Sequence, residues 1–471
     1  IKGLVMRINS ATDEARVRFG KYNAVVTAKE MGRSGKKPSV ELKAGYLAEF
    51  EIKEVDNENQ ALKIELSQEP EVQAAIVSLN AKNGEIVAMV GGYDYHSSKF
   101  NNATQGLRQT GSAYKPLIYT AAVEWGMTPE SQVSGAPIRR GGWTPQNYDG
   151  SHSHGNVPMK TALAKSLNIA AVHLLDQVGV QTGAQMVRRF GITNPMAPSL
   201  PSALGASEAS LLEMVSAYSV FPNKGVRVQP HLIRKVLDRD GKVLEEWNKT
   251  TYKVTSEYVA LTMVDMMRAV TSAGGTAPGA KAAGQPLAGK TGTVNDQTDV
   301  WFIGYTPTYV TGVWMGNPER KENLGRGMTG GGGALPYFNQ FMDPFMKDKP
   351  KEKFDEAPPV PSDIKSLIER RKREEQEKLE KAEQEARKAG IVYNPGPRRR
   401  SSSETAPETG GETSTETVTS PASTDSPGIE SKPAANPPPR QESKPLPPPP
   451  PVKKPEPQPE KRNEGTKPKG K

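Results

Sequence analysis

Hydrophobic and polar residues alternate in short runs through residues 1–69. ARVRF sets Ala15, Val17 and Phe19 on one face against two arginines, and LKIEL sets Leu62, Ile64 and Leu66 against Lys63 and Glu65. A period of two marks a half-buried strand, so this stretch is expected to fold as a small antiparallel sheet or OB-like barrel. It has no aromatic stripe on which bases could stack, which favours a protein partner over nucleic acid.

From Glu71 the pattern shifts. AAIVSL and EIVAMV flank Asn83-Gly84, a hairpin signal. QTGSAYKPLIYTAAVEWG reads as a turn running into an apolar helix, and KTALAKSLNIAAVHLLDQVG reads as further helix. SEASLLEMVSAYSVF places Leu211, Met214 and Tyr218 at core spacing. Strands return in VWFIGY and YVTGVWMG, broken by the Thr306-Pro307 turn. Residues 70–347 are therefore expected to form an α+β domain, an antiparallel sheet flanked by helices, and not a βαβ nucleotide fold. Residues 348–390 read as a charged linker with Glu/Lys pairs at helical spacing and few apolar positions. Residues 391–471, rich in Ser, Thr and Glu and then in Pro and Lys, are expected to be disordered, because they bury too little apolar surface to offset the entropy of ordering.

Composition changes this picture little. The net charge of +9 over 471 residues would suit an anionic partner. About a third of the excess, however, lies in the tail, in runs such as Arg398 to Arg400. With no cysteine there is no thiol nucleophile and no thiolate-held metal. His152 and His154, in SHSH, alternate like metal ligands but lack a third partner, so no metal and no cofactor is expected. The chain starts at Ile1 and shows no leader or span, and a membrane anchor is expected in a segment preceding it.

Three short boxes carry the chemistry. GQPLAGKTGT, from Gly284 to Thr293, fits both a phosphate-binding loop and a lysine–threonine–glycine box. The first reading needs a strand before the loop and a helix after it, with N–H groups along it. Pro286 removes one donor, the preceding SAGGTAPGAKAAG is loop-like, and the residues after Thr293 read as strand. In GSAYKP, Ser112 and Lys115 stand three apart, so at a helix start they share a face, where an amine could take the hydroxyl proton. Taken alone this is an ordinary capped helix. In KSLN, Ser166 and Asn168 could shuttle a proton and hold an amide, or simply break two helices.

In the order S-x-x-K, S-x-N, K-T-G, the boxes resemble the transpeptidase domain of penicillin-binding proteins. KFNNATQGLRQTGSAYKP, PQNYDG, ALGASEASLLEMVSAYSVFPNKG and GKTGTVNDQTDVWFIGYTP are similar to the class A, bifunctional members. The resemblance covers residues from about 71 to 345, with residues 1–69 similar to the OB-like insert of the Gram-negative subgroup. It implies a D,D-transpeptidase on the periplasmic side of the inner membrane that cross-links peptidoglycan stem peptides and is the target of β-lactams. Ser112 would be the nucleophile and Lys115 the base, assisted by Ser166 and Asn168. Lys290, Thr291 and Thr293 would receive the substrate carboxylate. Gly292 would leave the strand edge open, and the N–H groups of Ser112 and Thr293 would form the oxyanion hole. The barrel would dock an outer-membrane lipoprotein activator. The family's glycosyltransferase domain and membrane helix are not in this sequence, so only the cross-linking half is expected of it. A D-alanyl carboxypeptidase or serine β-lactamase uses similar boxes but hands the acyl group to water, and a penicillin-binding sensor would bind without cross-linking.

Overall fold

The computed structural model describes residues 1–388 apart from 68–69, 141, 152–154, 295, 320–322 and 326. His152, His154 and the segment 391–471 therefore lie outside the described residues. Strands β1 (Lys2–Asn9), β2 (Glu14–Phe19) and β3 (Tyr22–Val26), the single turn α1 (Pro38–Glu41), and strands β4 (Leu47–Asp56) and β5 (Ala61–Leu66) make a closed barrel in the order β1-β2-β3-β5-β4. The alternation accounts for its inside: Ala15, Val17, Phe19, Leu62 and Ile64 are buried, and Phe19 meets Phe50 edge-on at 5.6 Å. Leu66, at the strand end, is only half-buried.

The remainder is built on one sheet. β6 (Gln73–Asn80) and β7 (Ile86–Val90) pair antiparallel through a turn in which Gly84 takes a φ of 81°. Short β8 (Arg108–Gln109) leads into a 3₁₀ turn, Gly111–Tyr114, and helix α2 (Lys115–Glu124). Next come β9 (Gln132–Ser134), β10 (Asn156–Pro158), α3 (Met159–Ala164), α4 (Asn168–Val178) and α5 (Val180–Arg189). β11 (Glu208–Ala209) pairs with β8 and precedes α6 (Leu211–Tyr218). Four short strands, β12 (Val226–Val228), β13 (Lys235–Leu237), β14 (Val243–Glu246) and β15 (Thr251–Lys253), form two peripheral pairs before α7 (Glu257–Thr271). Strands β16 (Ala288–Thr293), β17 (Asp299–Tyr305) and β18 (Tyr309–Gly316) then complete a five-stranded sheet in the order β16-β17-β18-β6-β7. α8 (Leu335–Met346) and α9 (Ser362–Lys388) come last.

β17 is buried along its whole length, as expected of a strand covered on both faces. Trp301, Ile303 and Tyr305 join the core shared with α2, α4, α6 and α7, while Val300 and Phe302 join the core under α8, where Phe302 meets Phe338 edge-on at 4.8 Å. The result is the α+β arrangement that the sequence pattern predicts. α2 is buried along nearly its whole length, Leu117, Ile118, Tyr119, Ala122 and Val123 all being inaccessible. The helix that carries the first box is thus the axis of the domain.

The segment after Lys347 departs from the expectation of a plain charged linker. Phe354 is buried edge-on against Tyr305 at 5.9 Å, and Gln285 fixes the stretch beside it by donating to the Pro350 carbonyl and accepting from Glu352 N–H. The first turns of α9 then sit on the end of α2. Ile364 is buried, the α9 backbone at Leu367 and Ile368 lies over Gly126, and the Arg371 guanidinium stacks 3.3 Å above the Trp125 ring centre. Arg371 also donates from Nε to the Trp125 carbonyl at 3.0 Å, satisfying an acceptor at the C-terminus of α2. A few well-placed apolar residues suffice to dock a helix that its composition marks as solvated. Among the described residues, no helix is long and apolar enough to cross a membrane.

Candidate active site

Lys290 settles the two readings of its box. It lies mid-strand in β16, paired with Ile303, on the edge of an antiparallel sheet, so no strand–loop–helix cradle exists for a phosphate. The phosphate-loop reading is overturned.

Two glycines let the edge strand touch the turn that carries Ser112. Gly111 takes a φ of 52°, and a Cβ there would fall 2.6 Å from the Thr293 carbonyl oxygen. A Cβ on Gly292 would fall 2.7 Å from the Thr110 carbonyl oxygen. The bare backbone of Gly292 is therefore required where β16 meets the serine turn, beyond any part in keeping the strand edge open. Ser112 lies in the 3₁₀ turn just before α2 rather than in the α-helix itself, and Lys115 N–H closes onto its carbonyl. Pro116 falls within the first two positions of α2, where a missing donor costs least. Tyr218 anchors the turn from α6 by donating its hydroxyl to the Ala113 carbonyl at 2.6 Å.

Behind Ser112 the structure brings Lys115, Ser166, Asn168 and Lys290 into one buried network. Lys115 Nζ donates to the Ser166 carbonyl and to Asn168 Oδ1, both at 2.7 Å, and stands 3.4 Å from Ser166 Oγ. Lys290 Nζ donates to Ser166 Oγ at 2.8 Å and to the Thr291 carbonyl at 3.1 Å. Neither ammonium reaches solvent, and no carboxylate ion-pairs with either among the described residues. Burial holds Lys115 well below the ordinary lysine range, and the nearby Lys290 charge pushes it further the same way. Burial alone brings Lys290 down to about 7. Two like charges at one hydroxyl titrate as a unit, and for both amines burial favours the neutral form. The two short hydrogen bonds of Lys115 use the two N–H groups of a neutral amine and leave the lone pair to accept a proton.

Ser166 holds this geometry at a backbone cost. Its φ of 58° is in the left-handed region, unusual for a residue with a side chain. The conformation turns the chain between α3 and α4, so that one residue offers its carbonyl to Lys115 and its hydroxyl to Lys290. Asn168 Oδ1 accepts from Lys115 and Nδ2 donates one N–H to the Gln146 carbonyl at 2.9 Å, while the residue also lines the catalytic cavity. It thus holds the amine of Lys115 while keeping a second N–H of its amide at the cavity.

Thr291 and Thr293 face a cavity of about 900 Å³ that Ser112, Lys165, Ser166 and Asn168 also line. Thr291 Oγ1 lies 2.8 Å from Thr276 Oγ1, and Thr293 Oγ1 accepts from Gly330 N–H at 3.0 Å. A second cavity of similar size, about 910 Å³, opens on the barrel, but it gathers no nucleophile beside a base.

Asn147 is the functional residue that sequence reasoning passes over. α4 has Leu167 at its N-cap position, which supplies no capping side chain. Buried Asn147, distant in sequence, supplies the cap: its Oδ1 accepts from Asn168 N–H at 2.8 Å and Ile169 N–H at 3.2 Å. In sequence it looks like a turn residue before Tyr148-Asp149-Gly150, and nothing local links it to a helix end 21 residues later.

A half-buried serine, a desolvated lysine one turn away and a second buried lysine on a sheet edge define a serine acyl-transfer class of protein. The comparisons agree. The model of the penicillin-binding protein transpeptidase domain matches residues 74–343. The chain is 41% identical over 296 residues to penicillin-binding protein 1A of Neisseria gonorrhoeae, spanning 60% of this chain and 37% of that protein. It is 40% identical over 296 residues to that of Aquifex aeolicus, spanning 62% of this chain and 40% of the relative. Among solved structures, penicillin-binding protein 1A from Haemophilus influenzae aligns with a TM-score of 0.65 at 29% identity, over 76% of this chain and 58% of the other. PonA1 of Mycobacterium tuberculosis, in complex with penicillin V, aligns with a TM-score of 0.55 at 28% identity, over 63% and 86%. The chain belongs to the penicillin-binding protein transpeptidase domain family.

Proposed function

We propose that this chain is a serine D,D-transpeptidase that cross-links peptidoglycan stem peptides and is acylated by β-lactams. The observation that carries it is the buried Lys115–Ser166–Lys290 relay beside Ser112. Ser112 Oγ attacks the carbonyl between two terminal D-alanines, and its proton passes to the free lone pair of Lys115. The oxyanion is held by the N–H groups of Ser112 and Thr293, on the two backbones that Gly111 and Gly292 bring together. The C–N bond breaks as D-alanine leaves with a proton returned from Lys115 by way of Ser166. A second stem peptide's amine then attacks the ester and loses its proton to the same base, which passes it to Ser112 Oγ as the ester C–O bond breaks. Lys290 with Thr291 and Thr293 binds the terminal carboxylate, for which Lys290 must be protonated.

The penicillin V complex of PonA1 supports β-lactam recognition by this fold. We place the site on the periplasmic side of the inner membrane. To the barrel we assign docking of an outer-membrane lipoprotein activator, on the face where exposed Met6 and Val25 lie among Arg7, Arg16 and Lys63. The decisive experiment supplies a stem peptide ending in D-alanyl-D-alanine together with an amine-bearing stem. Release of D-alanine with formation of the joined peptide is expected. Release with only the shortened peptide formed would make the chain a carboxypeptidase.

A further inference from the structure

The transpeptidase reading leaves open where the second peptide enters, and the surface beside the catalytic cavity speaks to this. We propose that the groove between α3 and α7 binds the acyl acceptor, a peptide amine whose carboxylate is held by Lys165 and Arg268. The inference rests on the assignment of Ser112 as the acylated residue.

Deacylation by an amine is the reverse of acylation with expulsion of an amine. The incoming nitrogen must therefore approach from where the first one departed. That end of the cavity is the one lined by Thr291, to which carboxylate binding is assigned above, with Thr276 Oγ1 2.8 Å from Thr291 Oγ1. Two residues before Thr276, Gly274 forms a wall of a separate groove of about 490 Å³, and Lys165 lines both the groove and the catalytic cavity. The groove thus meets the cleft at its leaving-group end.

Its lining suits an extended peptide with a negative charge. Ala164, Ala269, Ala273 and Gly274 intrude little, and a Cβ on Gly274 would meet nothing within 4 Å. Of the charged residues, Lys160 is matched by Asp265 at 2.7 Å. Lys165 and Arg268 are exposed, and among the described residues neither side chain has an ion pair or hydrogen bond. The groove therefore keeps two cations in excess, one on each wall. Both lie near helix C-termini, where a cation is favourable in itself. The test must accordingly separate a helix-end charge from a ligand site.

The full chain is acylated by a D-alanyl thioester donor, and the acyl group is partitioned between water and a tripeptide amine. The tripeptide is offered with a free C-terminal carboxylate or as its carboxamide. The wild type should use the carboxylate acceptor at about ten- to a hundredfold lower concentration, the range of a charge-assisted hydrogen bond. Arg268→Glu, which lies outside the lining of the catalytic cavity, should abolish that preference while penicillin acylates Ser112 at the wild-type rate, and Arg268→Lys should restore it. Lys165→Ala should weaken the preference as well. Equal use of both acceptors by the wild type, or an undiminished preference in Arg268→Glu, overturns the proposal. Failure of penicillin to acylate the wild type at all would overturn the Ser112 reading and this one with it.

Discussion

Replacing Lys290 by Met should make the protein more stable in mild acid while removing its chemistry. Met matches the lysine stem in length and brings no charge into a site with no access to solvent. Burial lowers the Lys290 pKa from 10.5 to about 7. At about 1.4 kcal/mol per pKa unit this is on the order of 5 kcal/mol by which the fold disfavours the protonated form. Against it stand the hydrogen bonds to Ser166 Oγ and the Thr291 carbonyl, each worth about 1 kcal/mol net, so at pH 6 the variant should gain roughly 1–3 kcal/mol. The sign then depends on pH. Below 7 the folded and unfolded wild type both carry the proton, and the burial cost is felt in full. Between 7 and 10.5 the unfolded chain binds more protons than the folded one, so wild-type stability rises with pH and the advantage of the variant shrinks. By pH 9 the wild type should have recovered about 3 kcal/mol and the gap should close or reverse. Urea denaturation followed by tryptophan fluorescence at pH 6 and pH 9 measures this directly. A variant less stable than wild type at pH 6, or a difference independent of pH, would refute the buried-ammonium account of Lys290.

Three further outcomes rest on the same geometry. Asn147→Ala should slow penicillin acylation at least tenfold by releasing the N-terminus of α4, and with it Asn168 and Lys115, whereas Asn147→Asp, which keeps the acceptor, should retain most of the rate; equal rates in the two variants would dissociate the cap from catalysis. Gly111→Ala should cost about 1–3 kcal/mol and lower acylation, since it combines positive φ with a 2.6 Å approach to Thr293, and an unperturbed melting temperature would argue against that packing. Arg371→Ala should destabilise the domain by about 1–2 kcal/mol in urea titrations through loss of the Trp125 stack and its hydrogen bond, and no change would mean that α9 does not buttress α2.

The fold was legible wherever burial was one-sided or complete. Alternation in ARVRF placed Ala15, Val17 and Phe19 inside the barrel, and Asn83-Gly84 placed the turn between β6 and β7, because both signals are local. The docking of residues 348–371 was not legible, since it depends on Phe354, Ile364 and Arg371 finding Tyr305 and Trp125 far away in sequence. The same holds at the site. Spacing alone suggested that Ser112 and Lys115 share a face, but only the tertiary structure brings Lys290 to Ser166 across 124 residues and Asn147 to the start of α4. Nor does the sequence show that Asn168 also holds Lys115 and the Gln146 carbonyl. Side chains held by their neighbours' backbones leave no trace in a linear pattern.

The central claim is that Ser112 is the nucleophile that Lys115 and Lys290 serve. Intact-mass analysis of the chain after incubation with penicillin, followed by peptide mapping of the adduct, tests it most directly. One added penicilloyl group on Ser112, absent from a folded Ser112→Ala variant, is the predicted result. An adduct on any other residue, or undiminished labelling of Ser112→Ala, would contradict it.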